Sequence, residues 1–338
     1  MKIGIHGDNK YNFSNRWIKY CKKNNISYKI VNAYDNDIID QINDCTIFMW
    51  NHSQANHIDL KMAKPLLYSI EHSGIKVFPD FKTNWHFDDK IGQKYFLESI
   101  NAPIVNSYVF FNKFKALEWI SQTDFPKVFK LRGGAGSMNV FLAKNQKEAI
   151  YLTKKAFGNG FSSYNWSHRF NEVLRKLKQG KGKMKDLISI LLDLFKKYPN
   201  EYSKFIANEK GYAYFQDFIP DNTFDIRVIV VGDKAFALKR INRKNDFRAS
   251  GSGTINYNKD EIDIRCIEIA FETNRKIKAQ SIAYDFVFDT FKKPLIVEIS
   301  YAYSIMSYDK CEGYWDSNLN WHQGSFNSCD WIIESLIK

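Results

Sequence analysis

The chain has 338 residues, 44% hydrophobic and 25% charged, which is enough for two or three packed domains and argues against wholesale disorder. A net charge of +12 suits an anionic partner, but the lysines are spread along the whole chain and also fit a merely soluble composition. Five scattered cysteines without a C-x-x-C pair argue against a disulfide framework or a zinc site. With no apolar run of ~20 residues, no signal peptide and no nucleic-acid-binding signature, we expect a soluble, cytoplasmic protein that does not bind nucleic acid.

Residues 1–80 show short apolar runs that alternate with helix-like stretches, which predicts a parallel sheet covered by helices on both faces. The predicted strands are Lys2–His6, Ser27–Asn32, Thr46–Trp50 and Lys76–Phe78, and the predicted helices are Asn15–Lys23 and Ile58–Glu71. Ligands of such sheets bind at the carboxyl ends of the strands. That rule indicates Gly7-Asp8-Asn9 and Asn51-His52-Ser53.

A second α/β unit follows, starting with a helix Lys90–Ser99 that has Asp88 and Asp89 at its N-terminus. Its further predicted elements are strand Ser107–Phe111, helix Lys113–Ser121, strands Val128–Leu131 and Asn139–Ala143, and helix Gln146–Phe157. Residues 158–211 do not continue the strand–helix pattern of this unit and are interpreted as an insertion. Within their basic part, residues 175–197, Asp186–Lys197 is predicted to be an apolar-rich helix that either packs on a neighbouring domain or lies on a membrane surface.

The last third of the chain is predicted to be mainly β-structure. Its predicted elements are strands Tyr212–Ile219, Asp225–Val231 and Ala235–Ile241, helix Glu261–Lys278, and strands Ile282–Phe288 and Leu295–Ser300. Short strand–turn–strand joins such as Val231–Ala235 predict hairpins.

A glycine-rich segment, residues 133–137, joins two of the predicted strands. Gly133, Gly134, Gly136 and Ser137 allow several backbone N–H groups to face one anion, and Lys130 adds a positive charge. The segment is not a Walker loop, because no Gly-Lys-Ser/Thr follows and no helix starts there. Taken by itself, it is equally well explained as a hairpin tip.

Two strands near the C-terminal end carry acidic residues in alternation with apolar ones. Asp285 and Asp289 share one face of the first strand, and Glu298 and Ser300 share one face of the second. A carboxylate among apolar neighbours is costly unless it is paired or binds a metal. The pattern fits Mg²⁺, which prefers one or two carboxylates with phosphates and water, or a structural salt bridge to a lysine. The arginine and lysine side chains that precede these two strands in the sequence are suited to bind a polyphosphate.

The order of these motifs resembles the ATP-grasp superfamily, in particular the branch of carboxylate–amine ligases that contains ribosomal-protein glutamate ligase. The matching segments are Asp89-Lys90, residues 126–130, 133–140, 214–219, 225–232, Asp246-Phe-Arg248, Asp285 and residues 297–300. The resemblance implies an α/β (α+β) fold: an N-terminal parallel α/β substrate domain (1–84), a linker helix and lid domain (85–215, with the insertion 158–211), and a C-terminal mixed-sheet catalytic domain (216–338).

The resemblance also implies a role for each matching residue. ATP would be bound by Lys90, Lys130, Gly133, Gly134, Gly136, Ser137, Gln216, Asp217, Phe218 and Ile219. Arg227, Arg240 and Arg248 would flank the phosphates and the reacting carboxylate. Mg²⁺ would be held by Asp285, Glu298 and Ser300, although Ser300 stands where the family usually has asparagine.

The implied reaction joins a small-molecule carboxylate to an amine through an acyl phosphate, with release of ADP. A phosphotransferase or a non-catalytic ATP-binding module on the same fold are the alternatives. Asn51 and His52 are candidates for binding the carboxylate, and homo-oligomers are common in the family. The aromatic segment 299–322 is similar to ATP-grasp proteins linked with bacterial surface-polysaccharide clusters, which implies a sugar-linked acid. Trp315 and Trp321 would then stack on a ring, unless they are core residues.

Overall fold

The computed structural model describes residues 1–7, 13–134, 139–162, 204–243 and 254–338, and the single residues Phe170, Val173, Leu174, Leu177 and Ile188. The chain forms two compact units. The first unit consists of Met1–Ser53, Ile58–Val105 and Ile219–Lys338, and the second of Gln54–His57 and Asn106–Phe218. Apart from Ile188, the predicted helix Asp186–Lys197 lies outside the described residues. None of the described helices is long and apolar enough to cross a membrane.

The first unit begins with the predicted parallel sheet, which we call the N-terminal sheet. Its strands are β1 (Ile3–His6), β2 (Tyr28–Val31), β3 (Ile47–Met49) and β4 (Lys76–Phe78), in the order β2-β1-β3-β4. All three strand pairs are parallel, because a helix or helical turn connects each strand to the next. The connecting helices are α1 (Phe13–Lys23), α2 (Ile38–Gln41) and α3 (His57–His72).

Two further helices lead out of the N-terminal sheet. The short helix α4 (Phe81–Asn84) is followed by α5 (Lys90–Ser99), whose bounds are those expected from the sequence. The side chain of Asp89 caps α5 by accepting a hydrogen bond from the Gly92 amide at 2.9 Å. Because Asp89 is the N-cap, the helix starts at the next residue, Lys90.

The second unit contains a four-stranded antiparallel sheet, the central sheet, with two helices on one face. Its strands are β5 (Ser107–Phe110), β6 (Lys127–Lys130), β7 (Val140–Ala143) and β8 (Ala213–Asp217), in the order β5-β8-β6-β7. Helices α6 (Lys113–Gln122) and α7 (Gln146–Ala156) pack on the face that carries Phe129 and Phe215.

The C-terminal sheet belongs to the first unit. Its strands are β9 (Phe224–Val231), β10 (Lys234–Ile241), β11 (Ile255–Asn256), β12 (Ser281–Phe288), β13 (Pro294–Ser300), β14 (Gly313–Asp316) and β15 (Trp321–Gln323). The order is β13-β12-β9-β10-β14-β15, with β11 beside β10. The sheet was expected to be mixed, but its described strand pairs are antiparallel, and parallel pairing is confined to an isolated bridge between Ile104 and Ile296.

The helix expected at Glu261–Lys278 was placed too early in the sequence. Lys259–Glu261 forms a separate 3-10 turn, and helix α8 is Ile264–Ile277. Asp263 separates the two, because its extended backbone and its side-chain bond to the Arg265 amide make it the N-cap of α8. Trp315, one of the two tail tryptophans, is buried in the core beneath α8, as the core interpretation predicted.

One hydrophobic core ties the N-terminal sheet to the C-terminal sheet. Ile5 and Trp17 pack in the same cluster as Phe236 and Tyr301. Helix α9 (Ser328–Ile337) completes the cluster with residues such as Ile332. This core therefore joins parts of unit 1 that lie far apart in the sequence.

Candidate functional site

One face of the C-terminal sheet changes from apolar to charged along its strands. Its apolar end, with residues such as Ile229 and Phe236, belongs to the core that contains Trp17. Further along the same strands the face carries Asp225, Arg227, Arg240, Asp285 and Glu298. Strand register pairs Asp225 with Arg240, Arg227 with Asp285, and Asp285 with Glu298. We call these five residues the charged row.

The carboxylate of Asp285 binds two guanidinium groups. Arg227 donates from Nε and Nη2 to its two oxygens at 2.5 and 2.6 Å, and Nη2 of Arg240 lies 2.9 Å from Oδ2. Arg240 also donates from Nε to Asp225 at 2.6 Å. Burial favours the neutral acid, but the two arginines outweigh burial and hold the pKa of Asp285 below its usual value. Asp285 is therefore ionised at neutral pH.

Glu298 is paired with a lysine from helix α5. Lys90 Nζ lies 3.2 Å from Glu298 Oε1, and the Lys90 side chain is 5% exposed whereas that of Glu298 is 32% exposed. Next to this pair, the side chain of Gln93 accepts a hydrogen bond from the Ile299 amide at 3.3 Å. Helix α5 thus brings a predicted ATP-binding residue, Lys90, to a predicted metal ligand, Glu298, and both groups meet at the partly open end of the charged row.

Ser300, the third predicted metal ligand, turns its hydroxyl to the backbone. Its Oγ donates to the Ala302 carbonyl at 2.9 Å. Among the described residues, no three His, Cys, Asp or Glu side chains come together as they would in a closed metal site. Asp285 and Glu298 are adjacent carboxylates on one face, and such a pair suits a hard divalent cation that takes its other ligands from phosphates and water.

The central sheet carries the other predicted ATP-binding residues. Lys130 and Gln216 are both 5% exposed and lie on the sheet face opposite helices α6 and α7. Gln216 donates from Nε2 to the Ser107 hydroxyl at 3.0 Å, so this side of its amide is occupied within the sheet.

The residue after Gln216 has a structural partner. Asp217 accepts hydrogen bonds from Lys127 Nζ at 2.7 Å and from Asn106 Nδ2 at 3.2 Å. Phe218 is the last residue of the second unit, and Ile219 returns to the first. The predicted adenine hinge therefore lies where the chain passes from the second unit to the first, and the Asp217 carboxylate is occupied by Lys127 and Asn106.

The glycine-rich segment joins β6 to β7, as expected, and its ends are held by hydrogen bonds. The Leu131 amide donates to the Asn139 carbonyl at 3.0 Å, and Asn139 Nδ2 donates to the Gly133 carbonyl at 3.2 Å. Gly134 has φ of +115°, and a Cβ there would lie 2.7 Å from the Asn139 side chain, so the position requires glycine. Gly136, Ser137 and Arg248 lie outside the described residues.

The strand-end residue His52 is buried among aromatic rings. Its ring centroid lies 5.0 Å from that of Tyr301 and 5.3 Å from that of Phe87, and Nε2 has no hydrogen-bond partner among the described residues. Burial, assisted by Lys64, lowers the pKa of His52 to about 3. A neutral, enclosed ring argues against His52 as the group that binds a carboxylate.

A second histidine shares this state. His86 is fully buried, and both ring nitrogens are without partners in the described part of the chain. Its pKa is also lowered to about 3, again by burial and then by Lys64. Since unfolding restores a pKa near 6.5, the unfolded state binds more protons below that pH.

We expect the free energy of unfolding to fall between pH 6.5 and pH 3, by up to about 1.4 kcal/mol per pH unit for each of the two histidines. Urea denaturation at a series of pH values measures this slope. The variants His52→Phe and His86→Phe should each flatten it, and His72→Asn, at an exposed position, should not. Equal slopes in all four proteins would contradict the assignment.

Some residues of the site were not assigned from the sequence. Asp225 lies two positions before Arg227 on the same strand face, and strand alternation could have singled it out. Tyr212 and Glu209, which hold the start of the glycine-rich segment, carry no local sequence signal, because their contacts depend on how β8 aligns with β6.

Comparisons with known proteins agree with this architecture. Residues 194–314 match the family model of the RimK-like ATP-grasp domain. A comparison of the sequence with curated proteins found no match.

Solved structures resemble the whole chain. N5-carboxyaminoimidazole ribonucleotide synthetase of Thermotoga maritima is 13% identical with a TM-score of 0.61, covering 99% of this chain and 75% of that one. D-alanine–D-alanine ligase of Bacillus anthracis is 14% identical with a TM-score of 0.59, covering 100% and 97%. A RimK domain ATP-grasp protein of Sphaerobacter thermophilus is 12% identical with a TM-score of 0.57, covering 100% of both chains.

These similarities define the class of the protein: the chain has the ATP-grasp fold. Residues 194–314 match the RimK-like ATP-grasp domain, which confirms the resemblance to the ATP-grasp superfamily; the link to surface-polysaccharide clusters stays a prediction.

Proposed function

We propose that the protein is an ATP- and Mg²⁺-dependent ligase that joins a carboxylate to an amine and releases ADP. The observation that carries the proposal is the charge balance of the charged row and Lys90. Three cations face three carboxylates there, so the array is neutral and has no net attraction for a bare polyphosphate. A divalent cation held by Asp285 and Glu298 would make the array positive and so favour binding of the nucleotide phosphates.

Magnesium fits the donor set of this site. Asp285 and Glu298 would hold it, with Glu298 moving from Lys90 to the metal. When bound, Mg²⁺ supplies neutralisation of the phosphate charge and orientation of the phosphate oxygens. Ser300 would contribute through a lone pair of its hydroxyl, since its proton is given to the Ala302 carbonyl.

The protein's own cations support the charge that develops on the substrates. A carboxylate oxygen attacks the γ-phosphorus, the bond to the β-phosphate oxygen breaks, and ADP leaves. The amine nitrogen then attacks the acyl carbon, phosphate leaves, and the amine loses a proton. Arg227 and Arg240 are held by Asp285 and Asp225 in fixed orientations. They would therefore stabilise the negative charge that develops on the γ-phosphate oxygens in the first step and on the acyl oxygen in the second, without reorganisation.

Residues of the second unit would bind the nucleotide. Lys130 would contact the phosphates, and the backbone N–H groups of the glycine-rich segment would surround them. The backbone after Gln216 would bind the adenine edge. Relatives named as ligases, such as D-alanine–D-alanine ligase, support an amide-forming reaction on this fold.

The acid and the amine are small molecules in this proposal, with a sugar-linked uronic acid as the first acid to test. A non-catalytic ATP-binding module is the second candidate, and Ser300 favours it because a hydroxyl bound to the backbone is a weaker metal ligand than the usual amide oxygen.

Mass spectrometry of products separates these functions. The protein is incubated with ATP, Mg²⁺ and a panel of uronic acids, amino acids and short peptides, and ADP and adducts are measured. We expect ADP together with an adduct whose mass is acid plus amine minus water. The Lys130→Ala variant should form neither, whereas Lys113→Ala, at an exposed position, should behave as wild type.

Other products would contradict the ligase assignment. A stable phosphoester would identify a phosphotransferase, and AMP would exclude every ADP-forming reaction. Tight ATP binding without turnover across the whole panel would favour the non-catalytic module.

A further inference from the structure

The start of the glycine-rich segment is held by a tyrosine hydroxyl. The Arg132 amide donates to Tyr212 Oη at 2.6 Å, and Tyr212 Oη donates to Glu209 Oε2 at 2.9 Å. Strand register explains the first contact: Lys130 is paired with Tyr214, so Arg132 comes opposite Tyr212 just beyond the ladder. There a side-chain hydroxyl, not a backbone carbonyl, receives the amide proton.

Glu209 is itself fixed by its backbone. Its amide and its carbonyl exchange two hydrogen bonds with Phe161, each 2.9 Å long. Gly160, with φ of +74°, lets the Glu209 carbonyl approach to 2.6 Å from the place of a Cβ, so any side chain at position 160 would push Glu209 away. The Glu209 backbone is thus fixed beside Phe161, and its carboxylate is available to Tyr212.

The protonation states of Tyr212 and Glu209 allow the hydroxyl to accept from Arg132 and donate to Glu209 at the same time. Tyr212 is 6% exposed, and burial together with the neighbouring Glu209 carboxylate raises the pKa of its hydroxyl. The hydroxyl therefore keeps its proton at neutral pH and remains a donor to Glu209 while it accepts from Arg132. The Arg132 guanidinium lies on the same carboxylate, with Nη2 3.7 Å from Glu209 Oε1.

We propose that Tyr212 and Glu209 are positioning residues that set the direction of the backbone at residues 132–134 and thereby the affinity of the protein for phosphate groups. The inference rests on the proposed function, because it concerns how ATP is bound. The reason is preorganisation: backbone N–H groups bind an anion well only if their directions are fixed before binding. The Asn139 side chain holds the Gly133 carbonyl, and the Tyr212 hydroxyl holds the Arg132 amide.

The test compares ligands that differ in their phosphates. Isothermal titration in the presence of Mg²⁺ measures the dissociation constants of ATP, ADP and adenosine for the wild type, Tyr212→Phe and Glu209→Ala. In Tyr212→Phe the Arg132 amide loses its acceptor, and we expect about tenfold weaker binding of ATP and ADP with adenosine unchanged. Glu209→Gln, whose amide oxygen still accepts from Tyr212, should restore most of the affinity that Glu209→Ala loses.

Controls separate positioning from general damage. Tyr151→Phe removes an exposed hydroxyl from the same unit and should leave all three constants unchanged. If Tyr212→Phe does not fold, Glu209→Ala and Glu209→Gln decide the question. Equal losses for ATP and adenosine, or wild-type affinities in the folded variants, would overturn this inference but not the proposed function. A wild-type protein that binds neither ATP nor ADP would instead overturn the proposed function, and this inference with it.

Discussion

Replacing Asp285 with asparagine should lower the free energy of unfolding by about 3–5 kcal/mol and abolish ADP release. Asp285 is the shared partner of Arg227 and Arg240, and its removal leaves the partly buried Arg227 guanidinium facing an amide, while Arg240 keeps only Asp225. The cost of an uncompensated buried charge exceeds the value of the pair itself. Urea denaturation measures the stability, and ADP release measures the activity.

The exposed residue Asp233, in the turn between β9 and β10, provides the matched control, and Asp233→Asn should change neither quantity. Combining Asp285→Asn with Arg227→Met should recover part of the lost stability, since one stranded charge disappears, while activity stays absent. A stable and fully active Asp285→Asn variant would refute both the structural and the catalytic role of this carboxylate.

The second large effect is expected at Glu298. Glu298→Gln should lower the turnover number by about 10²–10³-fold, which corresponds to the several kcal/mol of charge stabilisation that a bound metal ion supplies. Its effect on stability should be smaller than that of Asp285→Asn, because the Glu298 side chain is 32% exposed and has one lysine as its partner. Initial rates of ADP release at several Mg²⁺ concentrations measure the change.

Glu268 on α8 is exposed and serves as the control position, where Glu268→Gln should leave the rate unchanged. A role in metal binding also predicts that Glu298→Gln needs more Mg²⁺ for half-maximal rate. If the rate falls without any change in the Mg²⁺ dependence, Glu298 acts through Lys90 and not as a metal ligand.

The sequence predicts local features of this protein better than its long-range contacts. Strand β4 and helix α5 have the predicted bounds, because Asp89 caps the helix and a short apolar run marks the strand. Strand periodicity also predicts that Glu298 and Ser300 share one face of β13. The parallel N-terminal sheet follows from the alternation of strands and helices.

The partners of these residues could not be predicted in the same way. Arg240 meets Asp225 only because of the β9–β10 register, and Lys90 meets Glu298 only because α5 packs on β13. The enclosed state of His52 depends on Tyr301, 249 positions later in the chain. Each contact joins segments whose relative placement is decided by the packed core, which no local pattern encodes.

The shared core of unit 1 has a consequence for the order in which the protein folds. Helix α1 is bound to residues near α9: Arg16 donates to Asp309, and Tyr20 donates to Glu334, 314 positions away. During synthesis, the N-terminal sheet therefore lacks part of its packing until these distant residues have left the ribosome. Domains usually fold one after another from the N-terminus. Here strands β1 to β4 are synthesised before the residues that complete their packing. Such high contact order predicts slow folding with exposed hydrophobic surface.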